Sequence, residues 1–305
     1  MPHPHLGYAQ RPDQHDTSLV PFLDACEANA VEVALHLAPG RDAGLLTFGL
    51  IRAVKAGHFE LASQLLARGA QWDTFTVNYA AESFKGVKWL VESGYDVNTS
   101  LVGGSGLLSR VIGRNDETSI HYLLEKGAKP DLGPPLIAAT LRTSERRPEP
   151  NSYWTLNLAA ACCSPEIFAS LLSYGADLNK AIPLHYAAGH GHWAADHETL
   201  PIGSRIPMLE YLTGLGLDIN AMDDVIESSG YGMRPEGTPL SHAVKRHRIE
   251  EVKWLLAHGA DPDKKSIYGI SARDRVKRLP RDHDLVALLG EDDMTDSCLR
   301  HGDIP

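Results

Sequence analysis

Apolar residues recur along this chain with the 3.6-residue period of a helix, in short blocks punctuated by glycine. In HFELASQLLARG, His58 to Gly69, the side chains of Phe59, Leu61, Ala62, Leu65 and Leu66 fall on one stripe, which predicts an amphipathic helix. VPFLDACEANAVEVALHLAPG, Val20 to Gly40, reads as two short helices. Trp89 in VKWLV and Trp254 in VKWLL occupy the same register, and both are assigned to the core. Thr238 can cap a helix through its hydroxyl, and Pro239 follows at the first helical position, where a missing N–H is harmless. Gly259 supplies the left-handed stop that other residues resist.

Such stops recur. Gly69, Gly94, Gly127, Gly175, Gly216 and Gly259 are separated by 25, 33, 48, 41 and 43 residues, mostly with Ala next and an acid or Asn after it. The runs IPLHYAAGHGH (Ile182 to His192) and GTPLSHAVKRHRIEEVKWLLAHGADPD (Gly237 to Asp263) carry the Thr-Pro-Leu-His, small-pair, Gly-His and Gly-Ala-Asp order. In this order and spacing the chain resembles the ankyrin repeat family, over roughly residues 19 to 289. The resemblance implies an all-α solenoid of stacked helix pairs with finger loops. The expected organisation is a disordered leader at 1–16, a single solenoid over 17–290 and an acidic disordered tail at 291–305. Within the solenoid, a cap at about 17–42 precedes repeats at 43–73, 74–98, 99–131, 132–179, 180–220 and 221–263, and a second cap closes it at 264–290.

Departures from the repeat are the individual features. Three long loops are expected, at 141–153, 193–205 and 221–237, and they would wall the concave face of the later repeats. Residues 134–163 could hold an additional helix or an enlarged finger.

Composition narrows the partners. The 305 residues carry a formal charge of −10, against affinity for nucleic acid or anionic membranes. No stretch approaches the ~18 apolar residues of a membrane span, and the first sixteen residues lack the apolar centre of a secretory signal. Cys26, Cys162, Cys163 and Cys298 have no framework spacing, so a reducing compartment is expected: the cytoplasm, with the nucleus left open.

The chemistry-bearing cluster is His185, His190, His192 and His197, with Asp196 and Glu198 beside it. By resemblance, His185 and His192 are repeat residues with structural hydrogen bonds, which leaves His190 and His197 flanking a loop. Gly103, Gly104 and Gly106 read as a finger turn, since no strand precedes them and no Lys follows. No metal and no cofactor are expected.

The resemblance also implies where a partner would touch: the two positions after the small pair on each first helix. These are Lys55 and Ala56, Gly113 and Arg114, Ala161 and Cys162, Gly189 and His190, and Lys245 and Arg246. The partner-binding set is therefore Lys55, Arg114, Cys162, His190, Lys245 and Arg246. Its positive charge on an acidic chain fits a protein partner with an acidic peptide segment, or a small anionic ligand. The expected function is non-catalytic protein recognition on the concave face. The alternative is an enzyme or small-molecule binder on that face of the later repeats, using His190, His197, His192 and Asp196, with His185, for acid–base or metal chemistry.

Overall fold

The computed structural model describes residues 6–8, 19–102, 105–132, 154–189, 200–223 and 235–290. The described residues are helical and contain no strand; an isolated antiparallel bridge joins Ser100 to Gly106 in one finger. The all-α architecture of paired helices expected from the glycine spacing is what forms. Two compact units divide the chain, the first running to Ile182 and the second beginning at Pro183.

The first unit holds five helix pairs: α1 (Val20–Glu27) with α2 (Val31–Leu37), α3 (Ala43–Lys55) with α4 (Phe59–Ala67), α5 (Thr74–Ala80) with α6 (Phe84–Glu92), α7 (Leu107–Gly113) with α8 (Glu117–Glu125), and α9 (Trp154–Cys162) with α10 (Pro165–Ser173). The second holds three: α11 (Pro183–Gly189) with α12 (Ile206–Gly214), α13 (Pro239–Lys245) with α14 (Ile249–Ala257), and α15 (Ala272–Val276) with α16 (Asp284–Leu289).

Local chemistry sets these boundaries. Side chains accept from the orphan amides of the first turn at Asp42, Asp73, Ser83, Asp116 and Thr238, and Ser271 forms a reciprocal box with Asp274. At the other end, all six repeat glycines adopt φ between +86° and +99°. At Gly259 the turn that results lets its N–H reach Leu256 O (3.2 Å) and the Ala260 N–H reach Leu255 O (3.0 Å), so the last carbonyls are satisfied.

First helices pack on first helices: α1 on α3, α3 on α5, α5 on α7 and α7 on α9 in the first unit, and α11 on α13 and α13 on α15 in the second. The layer they form has an interior of Leu50, Ala53, Val77, Ala80, Val111 and Ile112 in the first unit, all sealed from solvent. Second helices form the other layer within each unit, through α6 on α8 in the first and through α12 on α14 and α14 on α16 in the second.

A finger Asn fastens each of two pairs to the next. Asn98 Nδ2 donates to Gly127 O (3.0 Å) while its Oδ1 accepts from Lys129 N (2.9 Å). Asn220 does the same with Gly259 O (3.0 Å) and Asp261 N (2.7 Å).

One core expectation needs correcting. Trp89 is buried, and its Nε1 donates to Ser63 Oγ at 2.9 Å. Trp254, in the same register, is only half-buried and stacks on His258 with ring centroids 3.8 Å apart. The indole at 89 is enclosed by Phe59 and Trp72, an aromatic cage that Trp254 lacks among the described residues.

Candidate functional site

The expected contact positions lie at the ends of first helices. Lys55 ends α3 and is exposed, its Nζ 5.7 Å from the Tyr79 ring centroid. Arg114 caps α7, is exposed, and donates through Nη2 to Glu82 O (3.3 Å). Between them lies α5, which presents Phe75, 40% exposed, and the half-buried Tyr79, with ring centroids 6.5 Å apart in a stacked arrangement. Cys162 ends α9 and is half-buried. The first unit therefore sets two exposed cations on either side of an aromatic surface.

In the second unit, Lys245 ends α13 and Arg246 caps it. Lys245 is exposed but paired with Glu236, whose other oxygen accepts from Arg275 at 2.7 Å. Much of the positive charge expected there is thus met by a finger carboxylate. Gly189 is buried, and a Cβ built on it would lie 2.8 Å from His242 Cβ, so this position lets α11 approach α13 and faces no partner. His190, His192, His197, Asp196 and Glu198 lie outside the described residues, as do 141–153, 193–199 and 224–234 of the long loops.

His185 is described, and its contacts are those of a core residue. It is buried, its Nε2 donates to Ala221 O at 3.0 Å, and its ring meets the edge of His242 at 5.2 Å. Burial first, and then the charge of His242, push its pKa down to about 3, while Asp223 and backbone hydrogen bonds oppose the shift. This imidazole stays neutral at physiological pH. The Cys26 thiol is likewise no nucleophile, because burial pushes it up to about 12.

Two buried polar clusters root the inserts of the second unit. The Asp223 carboxylate accepts from Gly237 N (2.9 Å), Glu236 N (2.6 Å) and His242 Nε2 (2.8 Å), clasping both ends of the finger insert. Burial raises the Asp223 pKa, but the hydrogen bond and charge of His242, with the two backbone amides, hold it below the ordinary carboxylate range. The second cluster is Arg248 and Glu251, with side chains 8% and 0% exposed, in contact at 2.5 Å. Arg248 donates to Leu200 O (2.5 Å) and Pro201 O (2.9 Å), and both Glu251 oxygens accept from Gly203 N (2.9 and 3.0 Å). The loop entering α12 is therefore tied to the start of α14.

Neither cluster was singled out from sequence. One signal was available: in PLHYAA and PLSHAV, His242 stands where Tyr186 does, at a core-facing position that an imidazole occupies only with a partner.

Comparison with known proteins fits the repeat assignment. The ankyrin repeat family profile matches residues 237–267. Ankyrin repeat and SOCS box protein 6 from Homo sapiens, and its counterpart from Pongo abelii, are each 29% identical over 114 residues, 37% of this chain and 25% of the relative's length. The match thus spans about a quarter of these curated relatives. Among solved structures, the human ASB11 ankyrin repeat domain aligns over 88% of this chain and 96% of its own, at 19% identity and a TM-score of 0.41.

Proposed function

We propose that this chain is an ankyrin-repeat protein and a non-catalytic recognition scaffold, holding an acidic peptide segment of a protein partner on its first-helix face; the ankyrin profile match at residues 237–267 supports the first part of this reading. Ankyrin repeats generally serve as protein–protein interaction scaffolds, and a stacked helical surface needs no reacting group to do so. The observation that carries the reading is the exposed Phe75, with Tyr79 beside it, lying between the cations Lys55 and Arg114. Aromatic and Arg side chains concentrate binding energy when water is expelled around them, and flanking positive charge speeds encounter with an acidic partner. No helix among the described residues is long and apolar enough to cross a membrane.

A photocrosslinking side chain at Phe75 tests this in the cell of origin. The expected result is a discrete protein adduct that is absent when the same group stands at exposed Glu60 on α4, and that is lost in Lys55→Glu/Arg114→Glu. Equal labelling from positions 75 and 60, or an adduct indifferent to the charge reversal, would remove this face as the interface.

A further inference from the structure

The aromatic surface of the first unit already holds a peptide, and the peptide is the chain's own. Leu6 N–H donates to Ser100 O at 2.7 Å. Leu6 O accepts from Thr74 Oγ1 at 3.0 Å, and Gly7 O accepts from Thr74 N at 3.1 Å. The Tyr8 ring then lies against Phe75, with centroids 4.6 Å apart, and the series of rings continues through Tyr79 to Lys55 Nζ.

The pairing is not local, since 68 residues separate Leu6 from Thr74. It joins the leader to the third pair at Thr74 and to the following finger at Ser100, past the second pair, α3 and α4. Three main-chain groups of the tripeptide are engaged, while Tyr8 remains 52% exposed and Gly7 exposed. This division of labour belongs to recognition of extended peptides: main-chain bonds hold the segment, and a side-chain contact selects it. The selecting contact here is Tyr8 on Phe75, a ring pair that any aromatic at that position could make.

We propose that Thr74, Phe75 and Ser100 form a groove for an extended apolar–Gly–aromatic segment, that Leu6–Tyr8 is its resident occupant, and that the partner's acidic segment displaces it by presenting an apolar–Gly–aromatic run of its own. Because it belongs to the same chain, the segment meets the groove intramolecularly, at an effective concentration that can reach the order of millimolar, so it competes strongly with an incoming peptide whose own contacts are equally few. The groove is gated by its own sequence. The partner's part in this rests on the recognition reading above, whereas the groove and its occupant do not.

The test needs no partner. Leu6→Pro removes the N–H that meets Ser100 O, and Tyr8→Ala removes the ring on Phe75; both positions lie outside the helix stack. The probe is a fluorescein-labelled synthetic peptide, HPHLGYAQ, matching residues 3–10 of the sequence. It is titrated into the full-length chain and into full-length Leu6→Pro/Tyr8→Ala, with thermal unfolding recorded for each. Binding to the double variant is expected to be about tenfold tighter or more, and to be lost on adding Phe75→Ala. Hydrogen exchange at the Thr74 amide gives a second readout, expected to accelerate about tenfold or more in the double variant. Equal affinity for the two chains, no saturable binding to the double variant, or an unchanged Thr74 exchange rate would each overturn the proposal. Such a failure leaves the recognition reading standing, and a failed crosslink at Phe75 leaves the groove standing.

Discussion

Asp223 Oδ2 lies 2.8 Å from His242 Nε2, and both side chains are all but sealed from solvent. The carboxylate also holds the Glu236 and Gly237 amides, so a single acid closes the base of the finger insert and joins it to α13. Burying such a cluster is favourable only while every member keeps its partners, because each desolvated polar group is expensive alone. The insert and the helix are therefore coupled: neither can be disturbed without stranding polar groups belonging to the other.

Asp223→Ala is expected to destabilise the chain by about 1–3 kcal/mol, because it leaves the buried His242 imidazole and the Glu236 and Gly237 amides without their acceptor. His242→Leu restores an apolar residue at a core position but leaves Asp223 without its imidazole, so it too should destabilise. Urea unfolding followed by circular dichroism measures both. Losses within about 0.5 kcal/mol, as at ordinary surface sites, would mean that the clasp contributes nothing.

Acid should weaken the fold through His185. Its folded pKa is about 3 against a reference value of 6.5, so below pH 6.5 the unfolded chain takes up a proton that the folded chain refuses. The contribution is fully present above pH 6.5 and declines as pH falls towards 3, amounting to a loss on the order of 2 kcal/mol at pH 5. Asp223, held below its reference value of 3.8, acts with the same sign in more acidic solution. His185→Gln should flatten the slope between pH 7.5 and 5. An identical slope in the variant and the parent chain would rule His185 out as the source.

Gly259→Val should destabilise by more than ~1 kcal/mol, and Gly259→Asn by less, because Asn tolerates positive φ better than a β-branched residue. At φ +90° no heavy atom stands within 4 Å of the position a Cβ would take, so the penalty is one of backbone conformation and not of collision. Thermal midpoints decide it, and equal midpoints for Val and Asn would contradict a left-handed stop.

Arg248→Met strands Glu251 in the interior and should lose about 3–5 kcal/mol, whereas Arg248→Met/Glu251→Met should lose less than the two single changes combined. Release of the loop at Leu200 and Pro201 should also open buried Arg205 to trypsin. Cleavage there no faster than in the parent chain would show that the loop is held by something else.

The helix pairs were legible in the sequence because their determinants are local. A cap acts within three residues and a glycine stop within five, so Thr238 and Gly259 could be assigned with no knowledge of their neighbours. The polar clusters were not legible, because their partners lie far apart in the chain: Asp223 and His242 are 19 residues apart, Gly203 and Glu251 are 48. The seat of Leu6 on Thr74 spans still more sequence, and the leader's composition suggested only disorder. Trp254 shows the limit of register as a guide. It matches Trp89 in position, yet the enclosing rings belong to residues outside its own helix.

The amide of Asn98 gives and receives at once, and it spans one helix pair and the stop of the next. Asn220 does the same across its own joint. A load that peels one pair from its neighbour must break both bonds of that side chain together, after which the freed glycine turn has lost its brace. At these joints, rupture under tension would advance one pair at a time, as a ratchet releases, with Asn98 and Asn220 setting where each step catches.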